Sequence, residues 1–302
     1  TKINVNKPNR DTGETPLWIA SAKGHSDIVR ALLSSNDINI NQPANNGSTP
    51  FFIAAQERLV EIVKLFLSTD DVDVNKPSNT GCTPLCFASQ HGHAEIVRIL
   101  LSRGDVDVNK PNNDGSTPLS IASYQGGSVE IVQNLLARED VDVNELHEKH
   151  KCTPLWLASQ NGRIEIVQTL LTRDDIDVNK PKEDGYTPLN IASYKGHVEI
   201  VRLLLSQPDI DLKKKDNWNN DSPLDTAKEK GHELIVQLLT KAGEASLTGR
   251  AIEASLLDLE GEKKEEPKQQ CPAPSTDDLL NPLVQFTNLI KQFTKTTQVL
   301  SK

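Results

Sequence analysis

The sequence predicts an all-α solenoid of seven stacked helix–turn–helix units, and three observations predict it. A Thr/Ser-Pro pair returns at Thr15-Pro16, Thr49-Pro50, Thr83-Pro84, Thr117-Pro118, Thr153-Pro154, Thr187-Pro188 and Ser222-Pro223, at spacings of 34, 34, 34, 36, 34 and 35 residues. Past these pairs stand the glycines Gly24, Gly92, Gly126, Gly162, Gly196 and Gly231. Stretches such as "EIVRLLL", Glu199 to Leu205, then carry apolar residues at helical spacing. A period this long marks a repeat array, in which no unit buries its apolar face alone.

Each element follows from local chemistry. The Thr or Ser hydroxyl caps a helix, and the proline takes the first helical position, where a missing N–H costs nothing. A short apolar helix follows, as in "TPLSIASYQG" from Thr117, and ends at a glycine suited to a left-handed cap. The second, amphipathic helix leads into an extended "VDVNKP" segment (Val106 to Pro111) and a turn such as "NNDG". The unit is therefore helix, turn, helix and a hairpin-like finger.

Composition bounds what such an array does. The 302 residues are 25% charged with a net charge of −9, which argues against a nucleic-acid footprint. No apolar run approaches the roughly 20 residues of a membrane span, and no signal-peptide pattern opens the chain. Four cysteines (Cys82, Cys86, Cys152, Cys271) in so long a chain suggest free thiols in a reducing compartment, hence a cytoplasmic location. The chain has no methionine, and "TKINVNKP" (Thr1 to Pro8) reads as the end of an earlier repeat. A fragment or processed product of a longer protein is expected.

These motifs resemble the ankyrin-repeat family. "TPL" stands at Thr15, Thr83, Thr117, Thr153 and Thr187, with "TPF" at Thr49 and "SPL" at Ser222. Gly-His stands at Gly24-His25, Gly92-His93, Gly196-His197 and Gly231-His232. The match covers residues 1–243. The family's histidine after "TPL" is absent in every copy, replaced by Trp18, Phe52, Cys86, Ser120, Trp156, Asn190 and Asp225. Packing is expected to stand in for it where the residue is Trp or Phe. The second repeat has Arg58-Leu59 for Gly-His, so Arg58 is expected to carry left-handed strain of order 1 kcal/mol and to make this repeat a soft point. Gly126-Gly127 reads as a lengthened turn, not a phosphate loop.

The resemblance implies binding of other proteins on a concave face made of finger tips and first helices. The expected contact residues are His91, Asp114, Tyr124, Gln125, Lys149, His150, Asp184, Tyr186, Tyr194, Lys195 and Trp218. Aromatics on this face fall in the C-terminal half, and Tyr and Trp are favoured as hot spots, so repeats four to seven are the expected patch. The bland alternative is that the rings only pack against their neighbours. Mixed lysines and carboxylates give no single-sign stripe. Asn75, Asn109, Asn144 and Asn179 in "VDVN"-type settings resemble sites of asparagine hydroxylation in the family.

One finger is irregular: "NELHEKHKCTPL", Asn144 to Leu155, gathers Glu145, His147, Glu148, His150 and Cys152. It is one residue longer than "NKPNNDGSTPL", with Lys151 in place of the turn glycine and His150 in place of the aspartate. "HEKH" falls one residue short of the zincin motif, which also needs a helix. The set Cys82, Cys86, His91 and His93 is explained by the repeat. No metal, cofactor or catalytic constellation is implied, and an enzyme is not expected.

Beyond the array, residues 244–260 read as a capping helix and residues 261–278 as a flexible charged, proline-bearing linker. In residues 279–302, Leu279, Leu283, Phe286, Ile290 and Phe293 form an amphipathic seam. Such a helix is expected either to fold back on the array or to pair with another chain. The reading is a protein-interaction scaffold or adaptor with a docking tail. The rival is a regulatory or targeting fragment of a larger protein, such as a channel's cytosolic domain or an enzyme-associated array.

Overall fold

The structure, a computed structural model, describes residues 4–124 and 128–248. Among them the helices come in seven pairs: α1 (Pro16–Ala22) and α2 (Ser26–Leu33), α3 (Pro50–Gln56) and α4 (Val60–Leu67), α5 (Pro84–Gln90) and α6 (Ala94–Leu101), α7 (Pro118–Tyr124) and α8 (Val129–Leu136). They continue with α9 (Pro154–Gln160) and α10 (Ile164–Leu170), α11 (Pro188–Lys195) and α12 (Val198–Leu205), and α13 (Pro223–Lys230) and α14 (Glu233–Thr248). The first helix of each pair packs on the first helix of the next, and each second helix on the next second helix. The all-α repeat solenoid expected from the sequence is the fold observed.

Local chemistry sets each helix start. Every Ser/Thr of the recurring pair accepts a hydrogen bond from the backbone N–H three residues on, at 3.0–3.3 Å. Asn190 and Asp225, at the position where the family's histidine is missing, turn two of these caps into capping boxes. Trp18 fills the same position by donating its indole N–H to Ser48 Oγ at 3.0 Å, and Phe52 does so by an edge contact with Phe87 at 5.6 Å. At the turns, Gly24, Gly92, Gly162, Gly196 and Gly231 all have φ between 68° and 77°. Arg58 shares that conformation at φ 59°, so the strain expected of the second repeat is present.

One continuous core runs through the units. The apolar residue after each Thr-Pro pair (Leu17, Phe51, Leu85, Leu119, Leu155, Leu189) is at most 2% exposed. It meets Ile62, Ile96, Ile131, Ile166, Ile200 and Ile235 of the second helices.

Two hydrogen-bonded ladders tie the repeats outside this core. In the first, Asn6, Asn41, Asn75, Asn109, Asn144 and Asn179 each donate through Nδ2 to a carbonyl of the next repeat at 2.6–2.7 Å. Each also accepts an N–H from that repeat on Oδ1 at 2.8–2.9 Å. An amide can donate and accept at once from two separate atoms, which is why Asn suits this position. In the second, the finger-tip residues Asn45, Asn79, Asn113 and Asn217 donate their backbone N–H to the preceding finger at 2.8–3.0 Å. Their Nδ2 groups donate to it again at 2.8–3.1 Å.

Helix α14 passes Gly243 without a break and runs to Thr248. The rest of the expected capping segment, the linker, and the seam of Leu279, Leu283, Phe286, Ile290 and Phe293 lie outside the described residues, as do Gln125 and the Gly126-Gly127 turn.

Candidate functional site

The C-terminal fingers and first helices bring several expected residues together. Lys149 and His150 of finger five, Lys182, Glu183 and Asp184 of finger six, and Asn217 and Trp218 of finger seven line a cleft of about 480 Å³. Trp218 stands 83% exposed at its rim. Its finger holds it there: Asp216 is buried, and its Oδ1 accepts the N–H of Trp218 at 2.8 Å and of Asn219 at 2.9 Å.

Charges in the cleft are mixed, with both lysines in ion pairs. Lys149 makes an ion pair with Asp114 of finger four. Lys182 reaches Asp184 at 2.9 Å and lies 5.2 Å over the Trp156 ring. Burial lowers the pKa of His150, and the positive field of Lys182 and Lys149 lowers it further.

Beside the cleft an apolar floor forms from Cys152, Trp156, Leu157 and Ile191, against which Tyr124, Tyr186 and Tyr194 pack. Tyr186 and Tyr194 meet edge-on at 6.4 Å. Lys195 and Lys230 lie 5.4 and 4.7 Å over the Tyr194 ring. Burial, with Asp216 next, pushes the Tyr186 hydroxyl up to about 12. The three tyrosines are therefore half-buried, with rings committed to this floor and edges left for contact, whereas Trp218 is committed to nothing. Burial also pushes the Cys152 thiol up to about 12, and this cysteine packs as a small apolar residue.

His91 sits apart, stacked on Phe87 at 4.1 Å in the third repeat, and does not join the cleft. Among the described residues no cluster of three or more His, Cys, Asp or Glu side chains has the geometry of a metal site. Sequence reasoning placed Glu183 and Lys230 on this face but passed over Lys182, Asn217 and Trp156 as contact residues. A signal for Lys182 existed, because finger six alone has "KED" where finger four has "NND".

No helix of the described residues is long and apolar enough to cross a membrane. A family model described as "Ankyrin repeats (3 copies)" matches residues 1–78, 70–146, 105–182, 125–216 and 155–250. No curated protein matches the sequence. Among solved structures, the crystal structure of the ankyrin repeat domain of Bcl-3, described as a unique member of the IkappaB protein family, superposes with a TM-score of 0.68. The two sequences are 28% identical, and the match covers 76% of this chain and 100% of that domain. The repeat, its caps and its two ladders thus have a known home: the chain belongs to the ankyrin-repeat family, whose domains bind proteins.

Proposed function

We propose that this chain is a scaffold or adaptor that holds a partner protein on the fingers and first helices of repeats four to seven. The single observation that carries the reading is Trp218, 83% exposed at the rim of a 480 Å³ cleft. A tryptophan costs too much in exposed apolar surface to be a neutral choice at a finger tip, and Trp is the residue most enriched in binding hot spots. The polar, mixed-charge lining suits a hydrogen-bonded, wet interface. Tyr124 and Tyr194 of the first helices and Tyr186 of finger six extend the contact, with Lys195 and Asp114 at its edges. The tail seam from Leu279 to Phe293 is a second docking element in this reading.

The test is affinity capture from source cells with three forms of the full chain: unaltered, Trp218→Ala, and lacking residues 279–302. Trp218→Ala removes no packing, so its fold is retained. Loss of partners with Trp218→Ala supports the finger-face reading, and loss only on truncation transfers recognition to the tail.

A further inference from the structure

The finger ladder is complete at four junctions and fails at one. Between fingers one and two, two and three, three and four, and six and seven, a tip asparagine makes both a backbone and a side-chain rung. Between four and five the tip residue is Glu148, which keeps only the backbone rung, to Gly115 at 3.2 Å. Between five and six there is none: the tip residue is Glu183, and its N–H has no protein acceptor among the described residues.

Two residues account for the failure. A carboxylate cannot donate to a carbonyl, so Glu183 cannot make the side-chain rung that asparagine makes. The second cause is Lys151. Fingers close because each presents a left-handed glycine to its successor: a β-carbon on Gly13, Gly47, Gly81 or Gly115 would overlap Asn45, Asn79, Asn113 or Glu148, and one on Gly185 would collide with Asn217. Finger five has Lys151 in that conformation, at φ 48°, and lysine does carry a β-carbon. Finger six therefore cannot close onto finger five, and the 480 Å³ cleft lies at this junction.

We propose that Lys151 and Glu183 hold this junction open as a binding cleft for an extended acidic segment of a partner protein, whose backbone carbonyl accepts the Glu183 N–H in place of the missing backbone rung and whose carboxylate meets Lys149 and Lys182. This deepens the finger-face reading above and rests on it. The Glu183 N–H offers a donor along the finger edge. Lys149 and Lys182 flank it, and each has donor protons beyond the single carboxylate it already meets. At His150, after burial, Lys182 and Lys149 disfavour the protonated form and Asp114 acts against them. Trp218 provides the wall for an apolar or aromatic side chain next to the acid.

The test uses a phage-displayed random dodecapeptide library selected on the full 302-residue chain. Its control is the double variant Lys151→Gly with Glu183→Asn, which restores both features of a closed junction. The proposal expects selected peptides to be enriched in Asp or Glu near an aromatic. It expects synthetic copies to bind the double variant at least tenfold more weakly, with the variant melting no lower than the parent. It also expects the amide of residue 183 to exchange more slowly in the variant. Peptides without acidic enrichment, equal binding to both chains, or equal exchange at residue 183 each overturn it. Selected peptides that ignore the double variant but are lost with Trp218→Ala leave the finger-face reading standing and sink the cleft. Peptides indifferent to both changes sink both.

Discussion

At the first position of a finger a side-chain acceptor can gather two backbone amides. Asn9, Asn112 and Asp216 do so through Oδ1. His147 does it with a ring nitrogen: Nδ1 accepts the N–H groups of Lys149 and His150, both at 3.3 Å. The ring proton must then sit on Nε2, which donates to Ser116 Oγ at 2.8 Å. A second proton on Nδ1 would face two donors, in a side chain only 6% exposed. Burial, then His150 and Lys149, accordingly push the His147 pKa down to about 4. The unfolded chain binds this proton first, so the stabilisation is complete above about pH 6.5 and is lost as pH falls towards 4. His147→Asn keeps the acceptor and removes the titration. At pH 7.5 the two chains are expected to melt within a degree or so of each other. At pH 5 the variant should be the more stable by on the order of 1 kcal/mol, less than the full shift implies because the finger is partly hydrated. Thermal melts at the two pH values check this, and a gap that does not open with acid refutes the role assigned to Nδ1.

At the scale of the element, the joint between the two helices of a repeat is where a single residue type decides the geometry. Five of these joints place glycine at φ near 70°, and the second places Arg58 at φ 59°, where an L side chain crowds its own carbonyl. Arg58→Gly is expected to relieve about 1 kcal/mol, offset partly by the entropy glycine loses on folding, for a rise of roughly 1–3 °C in Tm. Gly92→Ala, the reverse change one repeat on, should lower it, although space alone would admit the methyl group. Calorimetry on both variants separates backbone strain from packing. These joints, the caps and the repeat were legible in the sequence because each depends on contacts within a few residues. The cleft was not. Lys151 and Glu183 could be read as departures, but what they undo lies between fingers about 34 residues apart, and only the paired register shows it. The tyrosines were equally undecided: the family resemblance assigned them to the expected binding face, and only the structure shows Tyr124, Tyr186 and Tyr194 resting on Cys152, Trp156, Leu157 and Ile191 while Trp218 stands free.

For the whole array, stability is a sum of repeats and their nearest-neighbour interfaces, and these interfaces are not equal along the chain. Arg103, Arg138 and Arg173 each grip the aspartate two residues on in a bidentate pair at 2.7–2.9 Å. Through Nη1 each also donates to carbonyls at the end of the preceding repeat's second helix, at 2.9–3.5 Å. These clamps join repeats two to three, three to four and four to five, while the corresponding positions elsewhere hold Ser35, Thr69 and Gln207. The first repeat is thin as well: α2 buries only Val29, and Ile19 and Ile28 are 40% and 51% exposed. At the other end α13 is rich in lysine and buries only Pro223, Thr226 and Ala227. Opening should therefore begin at both ends and reach the clamped middle last. Native-state hydrogen exchange is expected to show the slowest amides in α6, α8 and α10, and the fastest helical amides in α2 and α13. Arg138→Ala, which removes one clamp without touching the core, should speed exchange in α6 and α8 while leaving α2 and α13 unchanged. Uniform acceleration along the whole chain would mean instead that the array opens as one cooperative unit, with the clamps adding to its total stability but not to the order in which it comes apart.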